Sequence, residues 1–136
     1  MEEDYVSFEV AKLLEKKGFW EEVSMYYDTW DKDDIELCPR SDISSEAFSY
    51  HPDGTYVKAP THQMACAWLR EIHHIHIDII IEGNGCCIEY KAYIRPFKLI
   101  YPTRCFDSID TIVVGRYNTY KEAVEAGLKH CLENLI

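Results

Sequence analysis

No stretch of this chain approaches the ~20 apolar residues that a bilayer-spanning helix needs, and runs such as Ile79-Ile80-Ile81 are short and set in alternating patterns. Positive charge is also scarce: 14 Lys and Arg stand against 24 Asp and Glu, for a net charge of −10. That balance disfavours nucleic acid as a partner, and no membrane partner is expected. The six cysteines, at 38, 66, 86, 87, 105 and 131, contain no C-x-x-C, which argues against a zinc ribbon and a thioredoxin-type redox pair. There is no G-x-S-x-G, H-E-x-x-H, Walker or dinucleotide fingerprint, and no internal repeat. The sequence therefore offers no catalytic residue, no metal site and no cofactor, and the reading leans away from an enzyme. Met1-Glu2-Glu3-Asp4 is acidic where a secretory leader is basic, so a cytoplasmic location with reduced thiols acting as small hydrophobes is expected.

What is present is apolar material: 47% hydrophobic and 13% aromatic residues in 136, enough to offset chain entropy within a single domain, 1–136. The acidity is uneven. Residues 1–36 hold twelve acidic and four basic residues, whereas residues 82–136 hold seven of each. A basic protein or peptide would be drawn to the N-terminal quarter, although a solvated acidic face also serves solubility alone.

Ser7 to Lys17 reads as an amphipathic helix, with Ser7 as cap, Val10, Leu13 and Leu14 as its stripe, and Gly18 as a left-handed stop. Val23–Tyr27 and Ile35–Cys38 have strand character. Pro39–Pro60 is polar, and short irregular strands are expected there around a Pro52-Asp53-Gly54 turn. A second helix runs from a Thr61 cap to about His73, with Met64, Trp68 and Ile72, and Ala65 and Leu69 beside them, on a broad buried face. Ile75–Ile79 and Ile88–Ile94 alternate strictly around Gly83-Asn84-Gly85, which predicts a hairpin with Asn84-Gly85 as a two-residue type I′ turn. Its register then opposes Ile81 to Ile88, Ile77 to Ala92, Asp78 to Lys91 and His76 to Tyr93. Arg95-Pro96 should end or kink that strand, with Phe97–Tyr101 as a possible continuation, and Thr111–Val114 gives a further strand. Thr119-x-x-Glu122 is a capping box opening a last helix to about Asn134. The predicted fold is α+β: an antiparallel sheet with a central Asn-Gly hairpin, packed on one face by about three helices.

His73, His74 and His76 with Cys86 and Cys87 carry zinc-type ligands. The hairpin separates His76 from the cysteines by about 20 Å at ~3.3 Å per residue, and His73 and His74 sit at a helix exit that favours positive charge. Asp28, Asp31, Asp33, Asp34 and Glu36 gather hard oxygens but lack the glycine and terminal glutamate of an EF-hand loop. Cys131 beside His130 points ~100° away from it on a helix, and Cys105, in a loop next to Arg104, is the one thiol in an electropositive setting. The feature that remains is aromatic. Tyr26, Tyr27, Trp30, Tyr50 and Tyr56, rimmed by Asp31, Asp33 and Asp34, form the candidate interface patch, though such rings also roof a core.

Tyr5–Leu14, Ala59–Ala65 with Trp68-Leu69-Arg70-Glu71, and Thr119–Ala123 resemble a group of short uncharacterised proteins encoded by gut Bacteroidales and their phages and mobile elements. The resemblance implies a bacterial cytosol and a mobile-element origin, and brings no activity or catalytic residue. The favoured function is a small acidic protein-binding or regulatory module with a protein partner or a second copy of itself. The alternative is a small-molecule binder or unrecognised enzyme with a pocket between the Asp53 loop, the second helix and the sheet.

Overall fold

The computed structural model describes residues 4–50, 55–83, 85, 87–100, 105–108 and 111–136. The fold is α+β, with helices packed on antiparallel sheets. Its contacts divide the chain into two compact units, Met1–Thr61 and His62–Ile136. Instead of the one expected sheet, each unit has its own.

In the first unit α1 spans Phe8–Lys16. The Ser7 side chain accepts from the Val10 amide at 3.2 Å, satisfying a donor the helix leaves open. At the other end Gly18 adopts φ +91°, the Gly18 amide donates to Glu15 and the Phe19 amide to Leu14. That pair of bonds is a Schellman stop, and it turns Phe19 back into the core, where it is buried beside Val10, Ala11 and Leu14. An alanine at position 18 would have to adopt the left-handed conformation. Gly18→Ala is therefore expected to lose about 1 kcal/mol in urea unfolding.

The sheet of this unit runs β2-β1-β3, with β1 at Met25–Asp28, β2 at Glu36–Pro39 and β3 at Tyr56–Lys58. Both edges are antiparallel to β1, so Tyr26 lies opposite Cys38 on one side and Lys58 on the other. In the described part of residues 39–60, the short strand β3 is as expected, whereas a 3-10 turn and a helix are not. A 3-10 turn at Arg40–Asp42 leads into α2, Ser45–Tyr50, before β3. The polar composition concealed this helix because six residues are too few to show a helical apolar period. The Pro52-Asp53-Gly54 turn lies outside the described residues.

The second unit is built on β5, Ile88–Ile100, which pairs with β4 (Ile75–Gly83), β6 (Cys105–Ser108) and β7 (Ile112–Tyr117). The hairpin is present, but its register is shifted by two residues from the expected one. Gly83 pairs with Ile88, so four residues rather than two stand between the paired strands; of these, Asn84 and Cys86 lie outside the described residues. Ile77 then faces Ile94, Asp78 faces Tyr93, and His76 faces Arg95. A two-residue slip leaves every side chain on its face, so hydrophobic alternation cannot detect it. Charge distinguishes the two registers: Lys91 reaches Glu82 at 2.9 Å rather than Asp78, and Arg95 lies 3.7 Å from Asp78.

Pro96 neither ends nor interrupts β5. The Phe97 amide donates to the His74 carbonyl at 2.9 Å, so the backbone nitrogen of Pro96 points to the opposite edge. There β7 pairing stops at Ile94 and β6 pairing begins at Phe97. The missing donor falls in that gap. Cys105, expected in a loop, is in β6.

Two helices cover one face of this sheet. α3, His62–Ile72, buries His62, Ala65, Trp68 and Leu69; Ala65, Trp68 and Leu69 thus lie on the buried face as expected, whereas Ile72, expected there too, is 59% exposed. α4, Tyr120–Asn134, starts at Thr119, whose hydroxyl accepts from the Glu122 amide at 3.1 Å. Its Val124, Leu128, Cys131 and Leu132 are buried, and Gly127 brings the helix axis close to Ile77 and Ala92. Among the described residues no helix is long and apolar enough to cross a membrane.

Candidate functional site

The first unit contains a hollow of about 110 Å³. Ala11, Leu14 and Glu15 of α1 form one wall, and the Schellman stop at Gly18 supplies the next two residues, Phe19 and Trp20. Tyr26 on β1, Phe48 on α2 and Tyr56 and Lys58 on β3 complete it. The rings hold one another. Tyr26 meets Phe48 edge-on with centroids 5.4 Å apart, and Phe48 stacks on Tyr56 at 5.6 Å and 16°. The Arg40 guanidinium lies 4.3 Å from the Phe48 centroid and is oriented by a 2.7 Å bond to the Ile43 carbonyl. Lys58 Nζ donates to the Trp20 carbonyl at 3.0 Å and the Glu21 carbonyl at 2.8 Å, which clasps the Trp20 segment against β3.

The volume is close to that of the ~150 Å³ apolar cavity that accommodates benzene. It fits one apolar side chain and not a nucleotide or a drug-sized ligand, which need ~300 Å³ or more. Burial, with Asp28 and Cys38 nearby, pushes the Tyr56 phenol up from its ordinary value. The surroundings are strongly acidic: residues 1–61 carry fifteen acidic and six basic side chains, so −9 of the net −10 belongs to this unit.

Among the described side chains of the expected patch, Tyr26 and Tyr56 line the hollow and the others do not. Tyr27, next along β1, faces away; its hydroxyl donates to the Val6 carbonyl and its ring meets Phe8 edge-on at 5.6 Å. Trp30, Asp31, Asp33 and Asp34 form the exposed turn between β1 and β2. In that turn Asp28 accepts from the Trp30 amide and Asp31 from the Asp33 amide, each at 3.0 Å. Tyr50 is on α2, and its side chain lies outside the described residues. Sequence reasoning missed Phe19, Trp20, Phe48 and Lys58. The first two were signalled by an apolar pair directly after a glycine helix stop; Phe48 sits on the unforeseen α2.

Among the described residues no cysteine or histidine lines the hollow, although Cys38 lies beside it, opposite Tyr26 on β2. Burial pushes Cys66 up to about 11, against a smaller lowering by Arg70. Burial, with Cys66 nearby, pushes Cys131 up to about 12. Burial together with Asp28, Asp42 and Glu36 also raises Cys38. Such thiols remain protonated at neutral pH and are poor nucleophiles. His73, expected to favour positive charge at its helix exit, is instead lowered by burial and by His74, and its ring packs edge-on against Trp68 at 4.7 Å. Its Nε2 is buried and has no hydrogen-bond partner among the described residues. His62, also buried, meets Glu125 at 2.6 Å and ties α3 to α4. Among the described residues no three His, Cys, Asp or Glu side chains gather as metal ligands would. The pocket expected beside Asp53 involves residues outside the described ones.

No protein-family model matches the chain, and neither a curated protein nor a solved structure does.

Proposed function

We propose that this protein is a protein-binding module that receives one apolar side chain of a positively charged partner segment in the hollow of its first unit. The observation that carries this reading is the coincidence of a small aromatic-lined hollow with nearly all of the net negative charge in one 61-residue unit. The acidic field draws a basic segment and raises its encounter rate, while the hollow supplies short-range discrimination. Trp20, 76% exposed at the wall, is of the residue type that most often anchors interfaces. A cytosolic bacterial or phage setting, implied by the sequence resemblance, is compatible with this role.

The test is an amide-shift titration of the full chain with three peptides: Lys-Lys-Leu-Lys-Lys, the same peptide with serine in place of leucine, and Glu-Glu-Leu-Glu-Glu. The leucine peptide is expected to shift the amides of Phe19, Trp20, Tyr26 and Tyr56. The serine peptide should bind more weakly and move the acidic turn at Asp31–Asp34 alone, and the acidic peptide should not bind. Equal shifts from the two basic peptides, or none at the hollow, would remove the proposal.

A further inference from the structure

Among the described residues no strand pairs with the outer edge of β4, and that edge is unusual for a sheet end. β4 is nine residues long, pairs with β5 without a bulge and has neither proline nor lysine, two of the devices that keep free edges from pairing; its carboxylates, Asp78 and Glu82, are ion-paired with Arg95 and Lys91 of β5. The Phe97-to-His74 bond fixes which backbone groups face outward. Those of His76, Asp78, Ile80 and Glu82 face β5, so those of Ile75, Ile77, Ile79, Ile81 and Gly83 face the free edge.

The geometry points to a second copy of this chain as the occupant of that edge, with β4 pairing antiparallel to β4 of the other copy about a twofold axis at Ile79. Two observations select this partner and register. Residues 62–136 carry nine acidic and eight basic side chains, so two second units do not repel one another as two first units would. The pairing centred on Ile79 matches all nine residues of the strand with its copy and sets His76 opposite Glu82 twice, once at each end. Centring on Asp78 instead opposes two Asp78 carboxylates, and centring on Ile80 opposes Asp78 to Glu82. In the favoured register Ile81, 62% exposed in the single chain, comes to lie against Ile77 of the other copy. The sheet then runs continuously through both molecules, with α4 on the same face in each.

Sedimentation of the full chain over a range of micromolar concentrations tests this, with folding checked by circular dichroism. The wild type is expected to dimerise. Ile79→Pro removes a donor that points away from β5, so it should fold and be monomeric. His76→Glu, which opposes Glu82 in the other copy, should weaken dimerisation about tenfold, whereas His76→Lys should leave it intact or tighten it. A fold defect would not separate those two variants in this way. A wild type that stays monomeric, a folded Ile79→Pro that still dimerises, or His76→Glu and His76→Lys moving affinity in the same direction would each overturn the inference.

Discussion

Leu128→Ala is expected to destabilise the protein by about 2–5 kcal/mol, the range for deleting most of a fully buried leucine side chain from a core that cannot collapse around the gap. Leu128 is 0% exposed on the face of α4 that covers the sheet, between Val124 and Leu132 one turn to either side, both of them buried. These positions repeat every four residues, so the helix is held by one continuous stripe. Ala92 and Ile94 of β5, in the sheet that α4 covers, are themselves 0% exposed, and a strand paired on both edges cannot move in to fill a cavity. Urea unfolding should show a lower midpoint with an unchanged slope. The exposed Glu133→Ala on the same helix should stay within about 0.5 kcal/mol of wild type.

Gly127→Leu is expected to have an effect of similar size from the opposite cause. A Cβ built on Gly127 would lie 3.1 Å from Ile77 Cγ2 and 3.9 Å from Ala92 Cβ, both on the sheet beneath α4. An alanine there gains up to ~1 kcal/mol of helix propensity and asks Ile77 to yield by a few tenths of an ångström, so Gly127→Ala should lie within about 1 kcal/mol of wild type. A leucine cannot be accommodated without lifting the helix, and overpacking of this kind costs about 1–3 kcal/mol or more. The comparison that checks it is thermal unfolding of the two variants side by side. A leucine variant as stable as the alanine variant would show that α4 does not approach the sheet at Gly127.

Much of this architecture was legible in the residues. Ser7, Gly18 and Thr119 marked helix ends correctly because capping is a local matter of one side chain and a few backbone groups. The isoleucine alternation gave the hairpin and its buried face. Its register was not legible, since a slip of two preserves the pattern and only Lys91 with Glu82 and Arg95 with Asp78 distinguish the alternatives. Pro96 misled because its cost depends on whether a strand stands opposite its nitrogen, a tertiary fact. The hollow was half visible: Tyr26 and Tyr56 were singled out as aromatics in an acidic region, but strand alternation sends Tyr27 away. Phe48 entered the site through a helix too short to announce itself.

The measurement that bears most directly on the binding role is a double-mutant cycle combining Trp20→Ala with the leucine-to-serine change in the basic peptide. Trp20 is exposed, so its removal spares the core while taking away a wall of the hollow. If leucine enters there, Trp20→Ala should weaken the leucine peptide about fivefold to tenfold and leave the serine peptide nearly unchanged, a coupling of about 1 kcal/mol. Equal losses for both peptides would mean that Trp20 does not touch the inserted side chain, and that charge alone accounts for the binding.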